Sequence, residues 1–98
     1  MPSYEEIVDD LAARHPDVQQ GKMFGMPVFK VNGKAAGGQW QDAMVFKLKN
    51  AAARERALAI EGATLFDPMG GRPMKEWVVI PAAQADRWAE LAEAALGL

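Results

Sequence analysis

The residues of this chain that could bind a ligand are concentrated in two segments rich in methionine, glycine and proline, at 22–27 and 66–77. The second segment sets two glycines beside Arg72 and Lys75, and such an arrangement can hold a phosphate through backbone N–H groups and positive charge. It is not a P-loop, because the Gly-x-x-x-x-Gly-Lys-Ser/Thr spacing is absent and a strand is predicted to follow. The alternative interpretation is that the glycines only permit a tight turn, which Pro73 orders.

Four of the six methionines, Met23, Met26, Met69 and Met74, belong to these two segments. Thioether side chains fill irregular gaps in a core and also form adaptable binding surfaces, so both roles stay open. As candidate residues for binding a small anion or a protein partner we take Lys22, Met23, Arg72, Met74, Lys75 and Trp77.

Residues for covalent or acid–base catalysis are scarce. Ser3 is the only serine, Thr64 the only threonine and His15 the only histidine, and cysteine is absent. Ser3 is predicted to cap a helix, and His15 lies about three helical turns further along the same segment, which disfavours a Ser-His-Asp triad. A transition-metal site would need more His or Cys ligands than this chain has. We therefore expect a non-enzymatic protein with no metal and no cofactor.

Basic residues are concentrated in the middle of the chain. Residues 22–75 carry nine basic and four acidic residues, a net charge of +5, although the whole chain has a net charge of −2. The basic cluster around the start of a predicted helix consists of Lys47, Lys49, Arg54 and Arg56. Four such charges can support weak, salt-dependent binding to nucleic acid without obvious specificity. The simpler interpretation is ordinary solvated charge placed on different elements.

The pattern of apolar, capping and turn residues predicts one small α+β domain over residues 1–98, with the element order α-βββ-α-ββ-α. Helices are predicted at 4–14, at 51–61 and at 82–96. The first begins at a capping box made by Ser3 and Glu6, and Asn50 caps the second.

Five strands are predicted: a first that covers 22–24 and continues over 28–31, and four more at 34–40, 43–48, 64–66 and 75–80. Gly25 and Pro27 bend the chain within the first of the three leading strands, and Asn32-Gly33 is a strong hairpin signal. Short connections favour antiparallel pairing, with the helices packed on the sheet. The small residues at 35–38 should let a neighbouring backbone or side chain approach closely.

No apolar run approaches the ~20 residues that a membrane-spanning helix needs. The first residues also lack the features of a secretory signal. We therefore expect a protein without membrane contact, and the absence of cysteine is compatible with a reducing cytosol.

Several short motifs, in the same order and at matching distances, resemble the N-terminal domain of the TfoX/Sxy competence regulators. They are Lys22-Met23-Phe24-Gly25-Met26-Pro27, Asn32-Gly33-Lys34, Phe66-Asp67-Pro68-Met69, Gly71-Arg72-Pro73-Met74-Lys75-Glu76-Trp77 and Val78-Val79-Ile80-Pro81. The resemblance covers about residues 4–96. It implies a secretion-chaperone-like α+β fold and a bacterial cytoplasmic setting, and it supplies no catalytic residues.

Three functions remain open at this point. The first is a non-enzymatic regulatory or protein-interaction module, as the resemblance implies for a TfoX N-terminal-like domain, with a protein partner or with a second copy in a homodimer. The second is a domain that binds a small anionic ligand. The third is a weak DNA-binding regulator, which the net charge of −2 does not favour.

Overall fold

A six-stranded antiparallel sheet with helices packed on one face forms the fold. The computed structural model describes residues 3–23, 25–67, 70–71 and 73–97. The helices are α1 (Tyr4–Arg14), α2 (Ala51–Leu58) and α3 (Trp88–Ala95), and a 3₁₀ segment, Ala82–Arg87, leads into α3. The strands are β1 (Val18–Met23), β2 (Met26–Val31), β3 (Lys34–Trp40), β4 (Ala43–Lys47), β5 (Thr64–Phe66) and β6 (Met74–Ile80). The predicted α+β class is confirmed, and the elements follow the predicted order, with the first predicted strand divided into β1 and β2.

The strands follow the order β1-β2-β3-β4-β6-β5, so β1 and β5 form the two edges of the sheet. Asn32 (φ 53°) and Gly33 (φ 78°) make the predicted two-residue turn between β2 and β3. Gly25 (φ 74°) lies at the turn that separates β1 from β2, so four strands precede α2. The predicted start of the first strand at residue 22 is wrong, since β1 begins at Val18. An edge strand can carry consecutive exposed polar side chains, and these hide its pattern in the sequence.

Both predicted helix caps are confirmed. The Ser3 hydroxyl accepts a hydrogen bond from Glu6 N at 3.1 Å, and α1 spans the predicted range. Asn50 Oδ1 accepts a hydrogen bond from Ala53 N at 3.0 Å, and α2 begins directly after Asn50. Each cap satisfies a backbone donor that has no partner inside its helix.

The other two predicted helix ranges are too long. α2 ends at Leu58, because the chain tightens into short turns before Gly62, whose φ of 84° is left-handed. The predicted third helix is broken at Gln84, which has φ −112° and ψ 27°. Regular α-helix begins at Trp88, whose indole N–H donates to the Ile80 carbonyl oxygen at 3.1 Å. This bond holds the start of α3 against the end of β6.

The main core lies between the helices and one face of the sheet. Its largest fully buried side chains are Phe29, Phe46, Leu11, Met44, Leu48 and Ile80. Residues from α1, α2 and α3 close this core, and the burial of each large apolar side chain contributes about 1.5–3 kcal/mol.

A second apolar cluster lies on the opposite face of the sheet. It consists of Met26, Val28, Val45, Phe66 and Trp77, and we call it the opposite-face cluster. Trp40 packs against it with its ring centroid 5.3 Å from that of Phe66, in an edge-on arrangement.

None of the helices in the described ranges combines the length and the apolar composition that crossing a bilayer requires.

Candidate functional site: a cationic cleft

A cleft of about 820 Å³ opens where the β2–β3 hairpin, the end of β4, the first turns of α2 and the end of α3 meet. Its cationic side chains are Lys34, Lys47, Lys49 and Arg56, and its side-chain amides are those of Asn32 and Asn50. Alanines from β3, α2 and α3 form most of the remaining wall. We call this the cationic cleft, and its volume lies in the range of small-molecule sites.

The positive charge of the cationic cleft is not balanced by acidic side chains. Among the described residues that line it, none is acidic. The ion pairs within the described ranges involve Arg14, His15 and Arg87, and none includes a cationic residue of the cleft. Lys47 is half-buried, whereas Lys34, Lys49 and Arg56 are exposed. Like charges held around one cleft repel one another, so a bound anion would stabilise them.

The connection between β4 and α2 sets the geometry of one side of the cleft. Leu48 N donates to the Glu76 carbonyl oxygen at 2.7 Å, which ties this connection to the sheet. Arg54 Nη1 donates to the Leu48 carbonyl oxygen at 3.0 Å. Together with the Asn50 cap, these bonds fix the start of α2 beside the end of β4, and so they place the basic residues of both elements around one opening.

The structure brings together three of the four basic residues predicted as a nucleic-acid cluster. Lys47, Lys49 and Arg56 line the cationic cleft. Arg54 does not line it, because its guanidinium group is bound to a backbone carbonyl at the base of α2.

Lys34 is a cleft residue that sequence reasoning missed. It is distant from Lys47 in the chain, but Gly37 pairs with Phe46 in the β3–β4 register, so the start of β3 lies beside the end of β4. The ranges of β3 and β4 were predicted from the sequence. Extending their antiparallel pairing to the start of β3 would have placed Lys34 beside the end of β4.

The two helix ends at the cleft have opposite polarity. The first turn of α2 borders the cleft, contains no acidic residue, and carries the partial positive charge of a helix N-terminus. The end of α3 supplies wall residues from Ala94 to Gly97 and carries partial negative charge. The two dipoles offset each other, and the lysine and arginine side chains decide the sign of the field.

A smaller cavity of about 150 Å³ adjoins the cationic cleft, and Arg56 lines both. This cavity contains the acidic residue Glu90, whose carboxylate is paired with Arg87. The acidic side chain near Arg56 therefore already has a cationic partner.

The binding residues that were predicted in the two methionine-rich segments do not line the cationic cleft. Met23 and Met74 are half-buried, and both pack against the opposite-face cluster. Trp77 belongs to that cluster and is 6% exposed. Lys22 and Lys75 are exposed, but they lie on β1 and β6, which three other strands separate. The sheet therefore brings the methionines of the two segments to one apolar cluster without pairing their lysines.

In the segment between β5 and β6, Gly70 (φ 73°) and Gly71 (φ 98°) both have left-handed backbone conformations, which glycine adopts readily. Gly71 N donates to Asp67 Oδ2 at 2.9 Å. A carboxylate thus takes the N–H group that a phosphate-binding loop would offer to its ligand, which supports the turn interpretation. Arg72 lies outside the described residues.

The serine and the histidine of the chain both have structural partners. The Ser3 hydroxyl caps α1, and His15 Nε2 lies 2.8 Å from Glu93 Oε2. Glu93 is also ion-paired with Arg14, so the end of α1 is bound to α3. Within the described ranges, no group of three His, Asp or Glu side chains is placed to hold a metal ion.

Tyr4 is buried in the first turn of α1. Its hydroxyl has no hydrogen-bond partner among the residues that the structure describes. Burial raises the pKa of this hydroxyl from 10.0 to about 12. It does not line the cationic cleft.

Comparison of the chain with protein-family models, with curated proteins and with solved structures gave no match. The candidate site is therefore defined by the geometry of this chain alone.

Proposed function

We propose that this domain is a non-enzymatic binding module whose cationic cleft takes an anionic ligand. The observation that carries the proposal is the grouping of four cationic side chains, none of them ion-paired within the described ranges, around a cleft of about 820 Å³. Charge-assisted hydrogen bonds from lysine and arginine to an anion are stronger than neutral ones, so such a ligand would gain affinity from each contact.

The non-enzymatic part of the proposal rests on the donor set of the cleft. Its polar side chains are those of lysine, arginine and asparagine, which bind and orient anions. Among the described lining residues there is no carboxylate, histidine or hydroxyl to act as a general base or nucleophile. Ser3 and His15, which could supply such groups, are bonded elsewhere in the fold.

An amide NMR titration with phosphate-containing anions tests the proposal. We expect the shifted amides to group at residues 32–36, 47–53 and 94–97, which border the cleft. The amides of β1 and of the β5–β6 turn should stay unchanged and serve as the internal control. Shifts that are absent at millimolar anion, or that group around Lys22 and Lys75 instead, would contradict the cleft as the binding site.

A second function has one observation in its favour. Met23 and Met74 come from the two separate methionine-rich segments, yet both pack at the opposite-face cluster with part of their surface exposed. Adaptable thioether side chains partly exposed on one face of the sheet suit a protein partner or a second copy of this chain. This is the regulatory or protein-interaction role, in a bacterial cytoplasm, that the resemblance to the TfoX N-terminal domain implies.

Charge reversal beside these methionines tests the second function. Arg72→Glu combined with Lys75→Glu should weaken capture of a partner in a pull-down while the melting temperature stays near that of the original protein. Lys34→Glu combined with Lys49→Glu, on the cationic cleft, is the matched control and should leave capture unchanged. Capture that survives the first pair of substitutions would remove the support for this function, and light scattering of the unmodified protein would report a homodimer.

A further inference from the structure

We infer that the ligand of the cationic cleft is a compact polyphosphate, meaning a small anion that carries two or more phosphate groups joined or close together. This inference rests on the proposed anion-binding function and adds the chemical class of the ligand. It comes from the number, distribution and kind of the groups that line the cleft.

The distribution of charge favours more than one phosphate. The four cations come from different parts of the fold: Lys34 from the start of β3, Lys47 from the end of β4, Lys49 from the connection between β4 and α2, and Arg56 from α2. A single phosphate is much smaller than a cleft of about 820 Å³ and cannot contact all of its walls. An anion with several linked phosphate groups can neutralise cations on more than one wall at once.

The donor chemistry suits phosphate oxygens. Arg56 presents a planar fork that can donate two parallel hydrogen bonds to one phosphate, and the lysines act as mobile point charges. Asn50 Oδ1 already accepts from Ala53 N at 3.0 Å, which leaves the Asn50 NH₂ group to donate to a ligand. The cleft thus offers a series of donors and, among its described side chains, no acidic acceptor that would repel phosphate.

The same lining disfavours a nucleic-acid strand. Proteins that bind single strands stack successive bases on aromatic side chains, and no described residue of the cleft is aromatic. Trp77 and Trp88 are buried in the two apolar clusters. The net charge of the chain is −2, which does not favour the binding of a long polyanion.

The lysines could instead have a structural role, since cations near a helix C-terminus stabilise it and α3 ends at the cleft. That role predicts a loss of stability in ligand-free variants and no phosphate binding. Measuring the stability and the phosphate binding of the same variants therefore distinguishes this structural role from the inference.

Isothermal titration calorimetry at constant ionic strength, with inorganic phosphate, pyrophosphate, tripolyphosphate and a short single-stranded oligothymidylate, tests the inference. We expect tripolyphosphate to bind at least about tenfold more tightly than phosphate, because it contacts more cations. Lys34→Gln combined with Lys49→Gln should weaken tripolyphosphate binding about tenfold or more. Lys22→Gln combined with Lys75→Gln removes the same charge from exposed positions outside the cleft and should leave binding within about twofold of the original. Arg56→Gln is a second cleft variant in case the double variant folds poorly, which circular dichroism reports.

Each outcome decides between the two claims. If phosphate binds as tightly as tripolyphosphate, the polyphosphate inference is wrong while the anion-binding function stands. If none of the phosphate species binds, both are wrong. If tripolyphosphate affinity falls equally in the cleft variant and in the control variant, the attraction is nonspecific and the inference is overturned. Oligothymidylate binding that tripolyphosphate does not displace would overturn it in favour of nucleic acid.

Discussion

The Tyr4 hydroxyl is a buried polar group without a hydrogen-bond partner among the described residues. Leaving such a group unsatisfied costs roughly 1–3 kcal/mol, whereas an apolar replacement of the same shape carries no such penalty. We therefore expect Tyr4→Phe to raise the free energy of unfolding by about 1 kcal/mol, the lower end of that cost. Urea denaturation of the two proteins measures this difference. A clear loss of stability would mean that the hydroxyl is hydrogen-bonded in solution.

Alkaline pH gives a second test at the same residue. Burial raises the Tyr4 pKa from 10.0 to about 12, so the folded state favours the neutral phenol. The stability that this contributes is complete below pH 10 and is lost as the pH rises through 12, by roughly 2–3 kcal/mol. Denaturation measured across this range should show the decrease, and Tyr4→Phe should show a smaller one. Because the chain has a single tyrosine, the tyrosinate absorbance band reports the same ionisation directly.

At the scale of elements, β3 lies so close to its neighbouring strands that two of its positions have no room for a side chain. A Cβ on Gly37 would lie 2.5 Å from the Val45 carbonyl oxygen and 2.6 Å from the Phe29 ring, and a Cβ on Gly38 would lie 2.5 Å from the Pro27 carbonyl oxygen. Neither backbone can move without disturbing the paired strands. The predicted close approach at 35–38 is therefore confirmed at these two glycines.

Alanine substitution in β3 tests this packing. Gly37→Ala and Gly38→Ala should each lower the free energy of unfolding by about 1–3 kcal/mol, as overpacking does in a tight core. Gly21→Ala on edge strand β1 is the matched control, since its Cβ would meet only the flexible Lys30 side chain, at 3.0 Å. Thermal or urea denaturation of the three variants compares them. Equal effects at all three positions would contradict the argument from close contact.

Local sequence signals predicted most of these elements and missed those that depend on tertiary contacts. The caps at Ser3 and Asn50 and the Asn32-Gly33 turn are local chemistry, and all three are present. The start of β1 was missed because an edge strand needs no alternating pattern. The break at Gln84 was missed because alanine-rich sequence favours a continuous helix, whereas the Trp88 indole bond to the sheet sets where α3 begins.

At the scale of the whole molecule, a chain with a net charge of −2 places four cations around one cleft, and none of the four is ion-paired within the described ranges. This grouping of the four cations was only partly predictable from the sequence. Lys47, Lys49 and Arg56 are close in sequence, so their grouping was visible, but Lys34 joins them only through the β3–β4 register. Arg54 belongs to the same sequence cluster, yet its bond to the Leu48 carbonyl removes it from the site. Sequence spacing does not reveal which of the two arginines, Arg54 or Arg56, donates its guanidinium group to a backbone carbonyl.

The dependence on salt follows from this charge distribution. Exposed charges are screened as the Debye length falls from about 10 Å at 0.1 M to about 3 Å at 1 M salt. The affinity of the cationic cleft for tripolyphosphate should therefore fall steeply with added KCl, and less steeply in the Lys34→Gln, Lys49→Gln variant. Calorimetric titrations at several salt concentrations measure both slopes. An affinity that salt does not change would show that electrostatic attraction does not drive binding.

The small apolar area that α2 buries has a consequence for the rate of amide hydrogen exchange. Within its eight residues this helix buries only Ala53 and Ala57, yet it supplies Arg56 and one wall of the cleft. Segments with so little buried apolar area open locally at a low free energy, so the α2 amides should exchange with deuterated solvent well before those of β4. Opening α2 would remove ligand contacts, so a bound anion must suppress it. Slower deuterium uptake in α2 than in the ligand-free protein would thus reveal occupancy of the cleft even where the average structure does not change.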